Sequence, residues 1–146
     1  MVKQISAFAL GATLYMPATR TDLLDVVLSR KIQGLLSLVV CLEDAVAERD
    51  VTVALTNLNS LLRDIHALGC RPEKAPLLFI RPRDTNMAIS LNDCPLIGHV
   101  DGFVVPKLNM SNLKSWEKAL THPGLMLMPT LETADVYRTC APVLQP

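Results

Sequence analysis

The feature that most constrains this chain is a unit that recurs five times: a short apolar run, closed by charged or polar residues, then a stretch with helical spacing. "FALGATLYMPATR" supplies a strand ending near Pro17, followed by "TDLLDVVLSRKIQG" with Leu23, Leu24, Val27 and Leu28 at helical spacing and Gly34 as its stop. "LLSLVVCLEDAV" is a second strand, and "DVTVALTNLNSLLRDIHALG" a helix with Val53, Leu55, Leu58, Leu61, Leu62 and Ile65 as its apolar stripe. "APLLFIRPRD" is a third strand, and "NMAISLNDCPLIG" has room for one or two helical turns before Pro95. "HVDGFVVPKLN" is a fourth strand, ahead of a helix over "SNLKSWEKALTH" with Ser111 as its N-cap. "GLMLMPTLET" and "ADVYRTC" make the fifth pair. Runs of Leu and Val without alternation mark strands covered on both faces, and regular strand–helix alternation predicts a parallel sheet with right-handed crossovers.

In parallel α/β folds the ligand site lies at the carboxyl ends of the strands. Those ends carry Arg20, then Glu43 and Asp44, then Arg81 and Arg83, then Lys107, then Glu132. Each alone reads as a cap or a solvated loop residue; agreement across five strands makes them a candidate set. Arginine grips carboxylates through paired hydrogen bonds, and carboxylates supply the hard oxygens that magnesium prefers. The set therefore suits a small anionic substrate with a divalent ion. A doubly wound nucleotide-binding sheet is the alternative, but no Gly-x-Gly-x-x-Gly or P-loop follows the first strand.

Composition narrows the class further. Formal net charge is zero over 146 residues, so there is no basic excess for a nucleic acid or an anionic membrane surface. The N-terminal apolar stretch is too short to span a bilayer and reads as a first strand. Cys41, Cys70, Cys94 and Cys140 have no Cys-x-x-Cys pair, and predict reduced, buried thiols of a cytoplasmic protein. His66, His99 and His122 share no ligand spacing, and Met126 and Met128 read as core filler. Cys41 reads as packing, placed mid-strand where a nucleophile has poor access.

"LYMPATR", "VVCLEDAV", "LFIRPRDT", "DGFVVPKL" and "LMPTLETA" resemble, in order and spacing, the motifs of the citrate lyase β-subunit-like carbon–carbon bond lyases, TIM-barrel enzymes related to malyl-CoA lyases and HpcH-type aldolases. The resemblance runs from about Leu14 to Ala134. It implies Mg2+-dependent making or breaking of a carbon–carbon bond beside a carboxylate or a CoA thioester, through an enolate, in a homo-oligomer. By position, Arg81 would hold the substrate carboxylate, and Glu132 would ligate the metal. Glu43 and Asp44 would line the site floor and orient metal-bound water or arginine side chains. Arg20 matches the arginine after the first-strand turn, and Lys107 the lysine of the family's Leu-Pro-Lys.

Three departures stand out. Ala18 replaces the glycine usual after the first-strand proline, and Arg81-Pro82-Arg83 replaces Arg-x-Asn, which adds a cation as a further substrate-binding candidate. A closed eight-stranded barrel takes about 250 residues, whereas five units are present here. The expectation is therefore a partial TIM barrel over residues 1–146, truncated at its C-terminal side, with the second metal ligand expected beyond Pro146. Asp44, a metal-bound water and a residue beyond Pro146 all remain open for the proton. The alternative from another class is a non-catalytic half-barrel acting as an assembly or interaction subunit.

Overall fold

A computed structural model describes residues 5–138. Five strands form one parallel sheet: β1 (Leu14–Pro17), β2 (Ser37–Cys41), β3 (Leu77–Arg81), β4 (Gly102–Val105) and β5 (Met126–Pro129). Their spatial order is the chain order, β1-β2-β3-β4-β5. A doubly wound sheet reverses direction at a switch point; a sheet that steps always the same way is the winding of a barrel. The described residues make five strand–helix units of such a barrel, and the barrel is not closed.

Register sorts the side chains into two faces. Met16, Leu38, Val40, Leu78, Ile80 and Phe103 pack outward against the helices, in a core shared with Val27, Leu58, Leu62 and Ile65. The opposite face carries Val39, Phe79, Val104 and Met126, with Ile5, Leu10 and Met128 against them. Strands buried on both faces explain why β2 and β3 read as unbroken apolar runs. Gly102 is required where β4 meets β5: a Cβ there would lie 2.2 Å from the Met126 carbonyl oxygen and 3.0 Å from the Phe79 ring.

The helices are α1 (Leu23–Val27), α2 (Val51–Ala67), α3 (Thr85–Asn92), α4 (Leu113–Ala119) and α5 (Ala134–Arg138). Three depart from the pattern reading. Helix α1 stops well short of Gly34, because Ser29 turns left-handed at φ 59° and its hydroxyl donates to the Lys74 carbonyl, a tertiary partner invisible to local spacing. On α2 the buried stripe is Ala54, Leu58, Leu61, Leu62 and Ile65, while Val53 is 54% exposed. Helix α2 is stopped at Gly69, with φ 78° and its N–H on the His66 carbonyl. Before α4 the flanking residue is Asn112, not Ser111: Asn109 Oδ1 accepts from both Ser111 N and Asn112 N and winds the entry turn itself. Helix α3 is capped by Asp84, whose Oδ1 accepts from Met87 N at 2.9 Å.

Cys41 is buried and ends β2, rather than sitting mid-strand, and Cys70 is exposed, against the expectation of buried cysteines. Cys140 lies outside the described residues. Among the described residues no helix is long and apolar enough to cross a membrane.

Candidate functional site

Parallel pairing in sequential order brings the carboxyl ends of β2 to β5 side by side, and with them the charges that follow each strand. Arg81 is the last residue of β3, in register with Cys41, and its side chain is buried. A buried guanidinium must be paired, and three carboxylates meet it. Arg81 Nη2 lies 2.7 Å from Glu43 Oε2, 3.0 Å from Glu132 Oε1 and 3.3 Å from Asp44 Oδ2. Glu43, equally buried, is also reached by the Asp44 backbone N–H at 3.0 Å.

Lys107 closes the cluster from β4. Its Nζ contacts Glu43 Oε1 and lies 3.2 Å from Asp44 Oδ1. The residue sits at φ 52°, a left-handed conformation uncommon for a side chain of this size. That turn aims its backbone N–H at Glu132 Oε1 and Thr130 Oγ1, each 3.2 Å away, while Asn112 Nδ2 donates to its carbonyl at 3.0 Å. Hydrogen bonding to Lys107 holds the Asp44 carboxyl below the usual range, and the contacts to Glu43 and then Asp44 raise the Lys107 ammonium. Three carboxylates against two cations leave the cluster with one net negative charge.

The two remaining cations take other partners. Arg20 forms a fork with Asp22, Nε to Oδ1 at 2.8 Å and Nη2 to Oδ2 at 2.7 Å, and Lys31 shares the same carboxylate at 2.8 Å. The partner two residues along captures it, so Arg20 stands apart from the Arg81 cluster. Arg83 turns to the loop after β2: its Nη1 donates to the carbonyls of Val46 (3.0 Å), Leu42 (3.2 Å) and Glu43 (3.4 Å), and Nη2 lies 2.9 Å from Glu48. That guanidinium braces the segment that presents Glu43 and Asp44.

Tyr15 borders the cluster, and the strand-end pattern passes it over. It projects from the inner face of β1, and Arg81 Cζ lies over its ring, 5.9 Å from the centroid. Burial, opposed by the Arg81 charge, raises its hydroxyl above the ordinary value, so it keeps its proton at neutral pH. Period-two alternation along "LYMP" could have identified it once the inner face was known. His66 and His99, which share no sequence spacing, nevertheless meet: Nδ1 and Nε2 are 3.0 Å apart.

Glu132 and Asp44 offer partly exposed carboxylate oxygens, and Glu132 uses Oε1 for its contacts to Arg81 and Lys107. Hard oxygens in a net negative setting fit a magnesium ion in kind, although among the described residues no group of three or more His, Cys, Asp or Glu is gathered as a ligand set.

No curated protein matches the chain. A family model described as "C-C_Bond_Lyase of the TIM-Barrel fold" matches residues 4–143. With the sheet winding already in agreement, the chain belongs to the carbon–carbon bond lyases of the TIM-barrel fold.

Proposed function

We propose that the protein makes or breaks a carbon–carbon bond in a small oxo or hydroxy acid, or in its CoA thioester, as a Mg2+-dependent lyase of the citrate lyase β-subunit-like and HpcH aldolase type. The observation that carries this reading is the Arg81 cluster: a buried guanidinium, flanked by an ammonium and three carboxylates, at the carboxyl ends of four consecutive strands. Among the described residues the Nε of this buried arginine has no hydrogen-bond partner, which supports a ligand-binding role for the guanidinium.

Arg81 binds and orients the substrate carboxylate from the inner face. Lys107, held protonated by its two carboxylate neighbours, adds a second positive charge where negative charge develops. Glu43 fixes both cations. Asp44 is a weak base, because Lys107 favours its ionised form, and so orients groups in the site more readily than it accepts a proton. Glu132 would hold the magnesium ion, with Asp44 nearby. When bound, that ion supplies positive charge that stabilises an enolate.

The net negative charge has a consequence for binding order. An anionic oxo acid meets repulsion until a divalent cation neutralises the carboxylates, so Mg2+ and oxaloacetate together are expected to raise the melting temperature, whereas oxaloacetate alone is not. Arg81→Ala and Glu132→Gln are expected to abolish the rise. No rise in the wild-type chain with both ligands present would sink the lyase assignment.

A further inference from the structure

Among the described residues, one donor in the cluster is left without a partner. Arg81 is 8% exposed, yet its buried Nε has no hydrogen-bond partner, while its Nη2 is met by three carboxylates. A buried N–H left unpaired costs about 1–3 kcal/mol, and such an orphan beside a site is explained when a ligand brings the acceptor. The Tyr15 hydroxyl is a further donor beside it. Tyr15 is in register with the buried Val39 of the inner face and is itself 40% exposed. Arg81 lies over the ring of Tyr15, so the two side chains are immediate neighbours. The residue's pKa is raised by burial first, with the Glu132 charge adding to it and the Arg81 charge opposing. The hydroxyl is thus a neutral donor within the electrostatic reach of the cluster.

We propose that Tyr15 is a substrate-binding residue, its hydroxyl donating, beside the Arg81 guanidinium, to an oxygen of a free oxo-acid carboxylate. This inference rests on the reading of Arg81 as the carboxylate anchor and adds a selecting element to it. A charged carboxylate accepts from a hydroxyl beside a guanidinium more strongly than a neutral thioester carbonyl does. Tyr15 therefore favours the free acid over the thioester.

Oxalate, a stable planar dianion shaped like the enolate of an oxo acid, is the probe. Calorimetric titration of the full chain in Mg2+ is expected to show binding, and Tyr15→Phe, which keeps the ring over Arg81, to weaken it by about 10- to 100-fold, the loss for a hydrogen bond to a charged group. The melting temperature of the free protein is expected to stay put, because the hydroxyl holds no structural hydrogen bond among the described residues. A Tyr15→Phe chain that binds oxalate within about twofold of wild type overturns the role of Tyr15 and leaves the lyase reading standing. A wild-type chain that binds no oxalate in Mg2+ overturns both. The chain has two tyrosines, so in a Tyr137→Phe background Tyr15 alone reports in the near-ultraviolet tyrosine band. Oxalate is expected to perturb that band, and an unchanged spectrum on a saturated site overturns the proposal without reference to the Tyr15→Phe variant.

Discussion

At the scale of single residues, Arg81 and Glu43 depend on each other. Both are buried and 2.7 Å apart, and removing one partner strands the other's charge. Arg81→Ala is expected to destabilise the fold by about 3 kcal/mol, read by urea denaturation. The pair of Asp44 with Lys107 is more exposed and responds to pH instead. The folded pKa of Asp44 is depressed, so its contribution is present above the unfolded value near 3.9 and is lost as pH falls through the lower folded value. The folded pKa of Lys107 is raised, so its contribution holds below about 10.4 and fades only as pH rises past that. The melting-temperature difference between wild type and Asp44→Asn is therefore expected to be flat from pH 5 to 9 and to shrink in acid; a difference that vanishes near neutrality would contradict the pairing. Of these residues, Glu43, Asp44, Arg81, Lys107 and Glu132 were legible from their positions after apolar runs. Tyr15 was not, since an aromatic inside a strand looks like packing until its face is known. Arg20 and Arg83 carried the same sequence signal as Arg81, but their partners, Asp22 and the carbonyls of Leu42 to Val46, drew them to other work.

At the scale of elements, helix α2 separates pattern from packing. Ala54 and Leu58 face the core while Val53 faces solvent. Leu58→Ala is expected to cost about 2–5 kcal/mol through the cavity it leaves. Val53→Lys is expected to change stability by less than about 0.5 kcal/mol, and thermal melts of both variants check the assignment. Spacing alone could not choose Ala54 over Val53, because a small residue carries a weak hydrophobic signal yet is what close packing admits. The early end of α1 has the same origin: a hydroxyl bond from Ser29 to Lys74 crosses 45 residues, and no window of local sequence contains it.

At the scale of the whole molecule, the cluster joins the ends of four strands, and no two of its cross-strand partners are neighbours in sequence. The site exists only when the sheet does. The thermal response to Mg2+ with oxaloacetate and the far-ultraviolet dichroism are therefore expected to be lost at one urea midpoint; an earlier loss of ligand response would show that the strand ends separate while the sheet persists. The sheet itself depends on β4 approaching β5 closely. Gly102→Ala, which sets a methyl group 2.2 Å from the Met126 carbonyl oxygen, is expected to destabilise by at least about 1–3 kcal/mol.

The sequence by itself determined the strand–helix alternation, the parallel sheet and the residues at its carboxyl ends, because burial on both faces and helical periodicity are written in consecutive residues. Tertiary structure alone decided which of those charges share a site, where Lys107 points and that Tyr15 borders Arg81. Each of these depends on pairing between side chains separated by dozens of positions, and on competition between partners that become neighbours only when the strands lie in order.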